Sequence, residues 1–260
     1  LYSPCNFLHI TGSPWIVKDC YALDISLGCT GWVYGLSVIS SLLTGGLMRK
    51  GLLLVGDTTT VTKSPRDKST YPLFGDAGTA AAVEFDPGAE RNMIFNTGTD
   101  GSGFEAIMIP DGGFRNFYNE KSFEEDEIGP GIIRNRLQSI LNGPAVFTFG
   151  ITRAPKSVNS LLERFEIEKE SIDYFIFHQA NLFMNEKIRK KLKIGSEKVK
   201  YSLRNFGNTS SASIPITMVT EHRSEISYKK LLACAFGVGL SWASVVFDVE
   251  DLVISELIEI

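Results

Sequence analysis

The chain has 260 residues, of which 43% are hydrophobic and 22% charged, with a formal net charge of -4. That length buries one large core or two smaller ones, and the mixed, slightly acidic charge excludes a globally basic nucleic-acid binder. No apolar run reaches the roughly 18–20 residues that span a bilayer, and the opening LYSPCNFLHITGSPW lacks the charged and apolar regions of a secretory signal, so no membrane partner and a cytoplasmic location are expected.

YALDIS (21–26) is a short buried-strand candidate. Val33, Leu36, Val38, Ile39, Leu42 and Leu43 follow at helical spacing, and Gly45-Gly46 stops the run. GLLLVGD (51–57) is apolar enough for a parallel strand buried on both faces, KSPRDKST (63–70) is an exposed loop, and AGTAAAVEF (77–85) returns to a strand pattern. From 91 to 130 the chain turns to Gly, Asn, Asp and Phe with an acidic run at 124–127, which predicts an elaborated surface connection. Helical spacing resumes after Pro130, and SVNSLLERFEI (157–167) is amphipathic through Val158, Leu161, Leu162 and Phe165. IDYFIF (172–177) is a buried strand, NEKIRKKLKI (185–194) a basic helix, and LLACAFGVGLSWASVVFDV (231–249) two strands joined by a glycine-containing turn. The pattern predicts a layered α/β fold with an internal duplication, divided into a half over 1–130 and a half over 131–260.

Cys5, Cys20, Cys29 and Cys234 form no C-x-x-C pair and read as reduced thiols. No His/Cys/Asp cluster has metal-ligand spacing, so no metal is expected. Cys29 opens the helix GWVYGLSVISSLL, where unpaired N–H groups and the helix dipole stabilise a thiolate; a buried structural cysteine fits the same pattern. His178, at the carboxyl end of IDYFIF and followed by Gln179, Ala180 and Asn181, stands where open α/β sheets place ligands, or is a hydrogen-bonded loop histidine. Asn208 in NFGNTSSAS is a turn and helix-cap residue or a functional amide. GVGLSW (237–242) is a strand turn or a donor of backbone N–H to an oxyanion. His9 and His222 have no comparable setting.

Taken together, LGCTGWVYGL, PLFGDAGTAAAV, HQAN, GNTSSASIP and AFGVGLSWAS, in that order, resemble the ketoacyl-acyl-carrier-protein synthase III family over residues 20–249. The resemblance implies a thiolase-like layered αβαβα fold, assembled as a homodimer. It makes Cys29 the acylated nucleophile and His178 and Asn208 its triad partners. It gives the oxyanion hole to the backbone N–H groups of Cys29 and Val238, and sets Phe147 and Phe149 near the acyl pocket and its mouth. The implied reaction is decarboxylative condensation of an acyl-CoA with a malonyl thioester of an acyl carrier protein, coenzyme A thioester being substrate and no cofactor being required. Acyl transfer to a hydroxyl or amine, or an inert fragment or subunit, are the alternatives.

Four features depart from the family pattern. The family carries a longer stretch before the position of Cys20, where this chain has 19 residues, so the first half is expected to be incomplete. Val238 replaces a common glycine and would be strained at positive φ. Phe183 replaces a basic carrier-docking side chain, a charge that Lys187, Arg189, Lys190 and Lys191 are placed to supply. Lys68 stands where a nucleotide-contacting arginine is usual, without arginine's planar fork.

Overall fold

The computed structural model describes residues 19–88, 93–227, 229–250 and 252–259; Cys5, His9 and the opening segment lie outside the described residues. The first helix, α1 (Gly31–Thr44), buries Trp32, Val33, Leu36 and Leu43 on one face and ends at Gly45, with Gly46 at φ +75° where a side chain would be strained. β1 (Lys50–Asp57) and β2 (Ala77–Glu84) form a two-stranded antiparallel ribbon, with Leu53 opposite Ala81 and Asp57 opposite Ala77. β3 (Ile94–Thr99) follows, then the short strands β4 (Ile107–Met108), β5 (Asp126–Gly129), β6 (Ile132–Arg134) and β7 (Ile140–Leu141).

α2 (Gly143–Arg164) starts where Asn142 Oδ1 accepts the Ala145 N–H at 3.1 Å, with Pro144 in the first turn, where its missing N–H costs nothing. β8 (Tyr174–Phe177) leads into α3 (Leu182–Lys191), capped by Asn181, whose Oδ1 accepts the Met184 N–H at 2.8 Å. The short α4 (Leu203–Phe206) and α5 (Ser213–Glu221) precede the paired strands β9 (Lys229–Gly237) and β10 (Ser241–Val249).

β3, β10, β9 and β8 form the central sheet in that order, with β8 parallel to β9 and the other pairs antiparallel. Side chains alternate across it, as the pleat requires. Phe175, Phe177, Leu232, Cys234 and Phe236 pack on α2 and α3 through Val158, Leu161 and Ile188. Ile176, Leu231, Ala233, Ala235, Ala243 and Val245 face the other way, onto Trp32, Val33 and Leu36 of α1 and Ile214 and Met218 of α5. Leu53 and Val55 of the ribbon cover the same cluster from outside. The layers run helix, sheet, helix, ribbon, and both faces of β9 are dry, which its nearly continuous apolar sequence requires.

The structure corrects four sequence expectations. YALDIS forms no strand, because no described strand pairs with its backbone, and Tyr21 and Leu23 are exposed. GLLLVGD pairs antiparallel and leaves Leu52 exposed, so its apolar run does not mark a strand buried on both faces. The 91–130 connection is not all surface, since β3 within it zips onto β10. Residues after Pro130 are extended in β6, and the helix waits for the Asn142 cap. Among the described residues no helix is long and apolar enough to cross a membrane.

Candidate active site

Cys29 stands immediately before the Thr30 cap of α1, partly exposed, with its side chain against Gly237 at the end of β9. A Cβ built on Gly237 would lie 2.6 Å from Cys29 Cβ and 2.7 Å from Sγ, so only glycine leaves room for the thiol there. The Ser210 hydroxyl lies 3.9 Å from the Cys29 sulfur, and the His178 ring and the Val238 N–H are its other polar neighbours. Thr30 Oγ1 and Ser241 Oγ meet at 2.8 Å, and Ser241 Oγ donates to the Val238 carbonyl at 2.7 Å. These bonds tie the start of α1 to the glycine loop and fix Val238 beside Cys29.

His178 is buried just past the end of β8, where its own N–H donates to the Cys234 carbonyl at 2.8 Å. Its Nδ1 pairs with Ser213 Oγ at 2.7 Å, which leaves Nε2 as the nitrogen for Cys29. The ring also packs edge-on against Phe236, centroids 5.6 Å apart. The rest of HQAN is scaffold: Gln179 bonds the Phe177 carbonyl and the Ser202 N–H, Asn181 caps α3, and Asn185 holds the His178 carbonyl.

Asn208 is buried on a loop crossing the 73–75 segment. Its N–H donates to the Leu73 carbonyl at 2.9 Å, and its carbonyl accepts the Gly75 N–H at 3.1 Å, forming a parallel bridge with Phe74. The crossing needs two glycines: Gly207 sits at φ +61°, and a Cβ on Gly75 would lie 2.2 Å from the Phe206 carbonyl oxygen. Asn208 Oδ1 accepts the Ser210 N–H at 2.9 Å, and Ser210 itself sits at φ +51°, left-handed backbone that is uncommon for a residue with a side chain. Asp57 at the end of β1 secures the neighbouring turn, its Oδ2 accepting from the Ser211 N–H at 3.1 Å and the Ser211 hydroxyl at 2.6 Å. One small region thus gathers Cys29, His178, Asn208 and Val238 from four separate stretches of chain.

Burial by itself pushes the Cys29 thiol up, but the charge and hydrogen bond of His178, with the bonds from Val238 and Ser210, outweigh it and hold the thiol below its ordinary value. Cys234, enclosed in the core without such company, is pushed up to about 12 and is inert. The contrast sets Cys29 apart as the candidate nucleophile and Cys234 as a core cysteine. Val238 is outside the positive-φ region, so the strain expected from replacing glycine does not arise; Gly239, at φ +128°, carries the unusual backbone.

The other expected binding residues spread away from the thiol. Phe149 is buried against Trp242 at 6.2 Å, and Phe147 stacks on the exposed Phe183 at 5.5 Å. Lys187 lies over the Phe183 ring, Lys190 reaches towards Glu186, and Lys191 Nζ donates to the Ile151 carbonyl at 3.1 Å. Lys68 is exposed and packs along Gly131. Three residues of the site escaped the sequence reading. Ser210 and Ser213 hid in the hydroxyl run after Asn208, which reads as an ordinary cap, and Lys63 sits in a polar loop that reads as exposed although it is buried. Among the described residues no group of three or more His, Cys, Asp or Glu side chains is placed to hold a metal.

Two family signatures match the chain: 3-oxoacyl-[acyl-carrier-protein] synthase III over residues 23–101, and the C-terminal part of the same synthase over residues 162–249. A beta-ketoacyl-[acyl-carrier-protein] synthase III of Caldanaerobacter subterraneus subsp. tengcongensis is 33% identical over 225 residues, covering 86% of this chain and 65% of the relative. The chain therefore spans just under two thirds of that relative's length. The crystal structure of a 3-oxoacyl-(acyl-carrier protein) synthase from Burkholderia xenovorans superposes with a TM-score of 0.88 at 34% identity, covering 98% of this chain and 71% of that one. A 3-oxoacyl-(acyl-carrier-protein) synthase III crystal structure gives 0.88 at 35% identity, with 95% and 74% coverage. The layered architecture is that of the thiolase fold, and the chain belongs to the 3-oxoacyl-[acyl-carrier-protein] synthase III family.

Proposed function

We propose that this chain carries the active centre of an acyltransferase that condenses an acyl-CoA with a malonyl thioester of an acyl carrier protein, through acyl-Cys29 and with loss of carbon dioxide. The observation that carries the reading is the Cys29 sulfur set beside His178, the Val238 N–H and the Ser210 hydroxyl, neighbours that lower its pKa against the desolvation that raises it. Cys29 as thiolate attacks the thioester carbonyl, and the oxyanion is held by the N–H groups of Cys29 and Val238 until coenzyme A leaves as thiolate. One such donor is ordinarily worth about 100- to 1,000-fold in kcat. The malonyl thioester then loses carbon dioxide, and His178 and Asn208 stabilise the enolate through its oxygen. The enolate carbon attacks the acyl carbonyl, and the Cys29 sulfur departs as thiolate, restoring the starting state.

Similarity to proteins named for the acyl carrier protein supports the partner, and the cations of α3 beside Phe183 and Phe147 form a surface suited to an acidic carrier. On the same reading the chain works in the cytoplasm as a homodimer, with protein donors alone carrying the developing charge. The test is incubation with radiolabelled acyl-CoA: label fixed on Cys29, absent in Cys29→Ala, with carbon dioxide release when malonyl thioester follows. Label passed to a hydroxyl or amine without carbon dioxide release would establish simple acyl transfer instead.

A further inference from the structure

Lys63 follows a short turn after β1, and its side chain is buried to 7% exposure. Its ammonium donates to Ser139 Oγ and sits 4.0 Å from the centroid of the Phe74 ring. Ser139 is fixed in turn by its own N–H, which donates to the Thr62 carbonyl at 2.8 Å. No ion pair is made by Lys63 among the described residues. Its one acidic neighbour of note, Asp67, is already committed: Oδ1 accepts from the Ser69 N–H and hydroxyl, and Oδ2 from Arg134 at 3.2 Å. An ammonium has three donors, so two remain for a ligand.

A short chain of contacts links this position to Cys29. Phe74, under the ammonium, bridges to Asn208; Asn208 Oδ1 holds the Ser210 N–H; and the Ser210 hydroxyl lies 3.9 Å from Cys29 Sγ. Burial pulls the Lys63 ammonium down, while the negative charges of a Cys29 thiolate and of Asp67 raise it, so the cation and the nucleophile lie within electrostatic reach of each other. A buried cation without a countercharge is costly to keep. An anionic substrate group arriving beside it would be bound strongly there.

We propose that Lys63 is a specificity-determining residue of the Cys29 site, which takes the free carboxylate of a dicarboxylic half-thioester. This rests on the reading of Cys29 as the acylated nucleophile. The carboxylate has two chemical sources, a carboxyl-ended acyl donor loaded onto Cys29 or the malonyl extender before decarboxylation, and the two are separated by step.

The experiment compares wild type with Lys63→Met and Lys63→Arg. Loading of Cys29 by succinyl-CoA and by butyryl-CoA is measured in single turnover, and the KM for malonyl thioester is measured in condensation on butyryl-Cys29. If the carboxylate belongs to the donor, Lys63→Met lowers the succinyl-to-butyryl ratio of loading rates by about 10- to 100-fold, the scale of a lost charged hydrogen bond, and Lys63→Arg restores much of it. If it belongs to the extender, the loading ratio holds and the malonyl KM rises by a similar factor. Either outcome supports the proposal. A ratio and a KM both within about threefold of wild type overturn it. So does an equal loss on both donors accompanied by an upward shift of the pH profile for Cys29 alkylation, which would make Lys63 a support for the thiolate alone. Where Lys63→Met does not fold, Lys63→Gln takes its place, and wild-type loading by succinyl-CoA and its neutral methyl ester, with malonyl thioester binding against its methyl ester, decides the same question. Failure of wild type to load any thioester would refute the role of Cys29 instead, a distinguishable result.

Discussion

The contact between Gly237 and Cys29 yields the sharpest prediction. Gly237→Ala places a methyl 2.6 Å from Cys29 Cβ and 2.7 Å from Sγ, whereas carbon contacts settle at about 3.5–4.0 Å, so something must yield by roughly 1 Å. Strand β9 is buried on both faces, and Trp32 and Val33 anchor the start of α1 in the core, so neither backbone moves freely. Overpacking of this kind costs about 1–3 kcal/mol, a fall in Tm of roughly 3–10 °C at this chain length. Misplacement of a reacting atom by about 1 Å costs on the order of 100-fold in rate. Acyl loading in single turnover and thermal unfolding measure the two effects. Gly78→Ala, whose added methyl meets nothing within 4 Å, is the matched control. Loading within about threefold of wild type at an unchanged Tm would refute the tight seating of Cys29.

Four further outcomes are expected. The iodoacetamide rate of wild type should inflect below the ordinary cysteine value of 9.0. In His178→Ala the inflection should move up, since the raising effect of burial persists while the strongest lowering partner is gone. His222, with both ring nitrogens unpartnered in the core, is lowered from 6.5 to about 4 by burial and then by Lys200, against an opposing pull from Glu225. The unfolded chain therefore binds the extra proton between those values, and stability present above about pH 6.5 declines towards pH 4, by roughly 3 kcal/mol at most; His222→Leu should flatten the change in Tm between pH 7 and pH 5. Asp57→Ala removes both bonds to Ser211 and should cost about 2–3 kcal/mol by denaturant unfolding, with slower Cys29 loading as the turn carrying Ser210 loosens.

Much of the second half was legible because its signals are local. β8, β9 and β10 are apolar on both faces because both faces are covered, whereas the caps Asn142 and Asn181 were passed over, with helical spacing expected straight after Pro130 and α3 from 185. The ribbon misled for the same reason, since an apolar strand does not say which neighbour it pairs with, and YALDIS has a strand's composition without a partner's hydrogen bonds. Cys29, His178 and Asn208 were named from ordered motifs, while Ser210, Ser213 and Lys63 were not, because their roles arise from residues more than 30 positions away: Cys29, His178 and Ser139. No spacing along the chain encodes a buried lysine's aromatic neighbour.

The parallel bridge between Phe74 and Asn208 means that substitutions around Lys63 will not be independent of those around Asn208. A bulkier or smaller ring at position 74 tugs on the same rung of backbone that sets the Asn208 amide. On the proposed reaction, variants selected for a new acyl group should therefore carry linked changes in decarboxylation rate, while Gly75 and Gly207, where the two segments cross, should stay glycine. In mutational terms, the proposed substrate choice and enolate chemistry would form one epistatic unit rather than two separable modules.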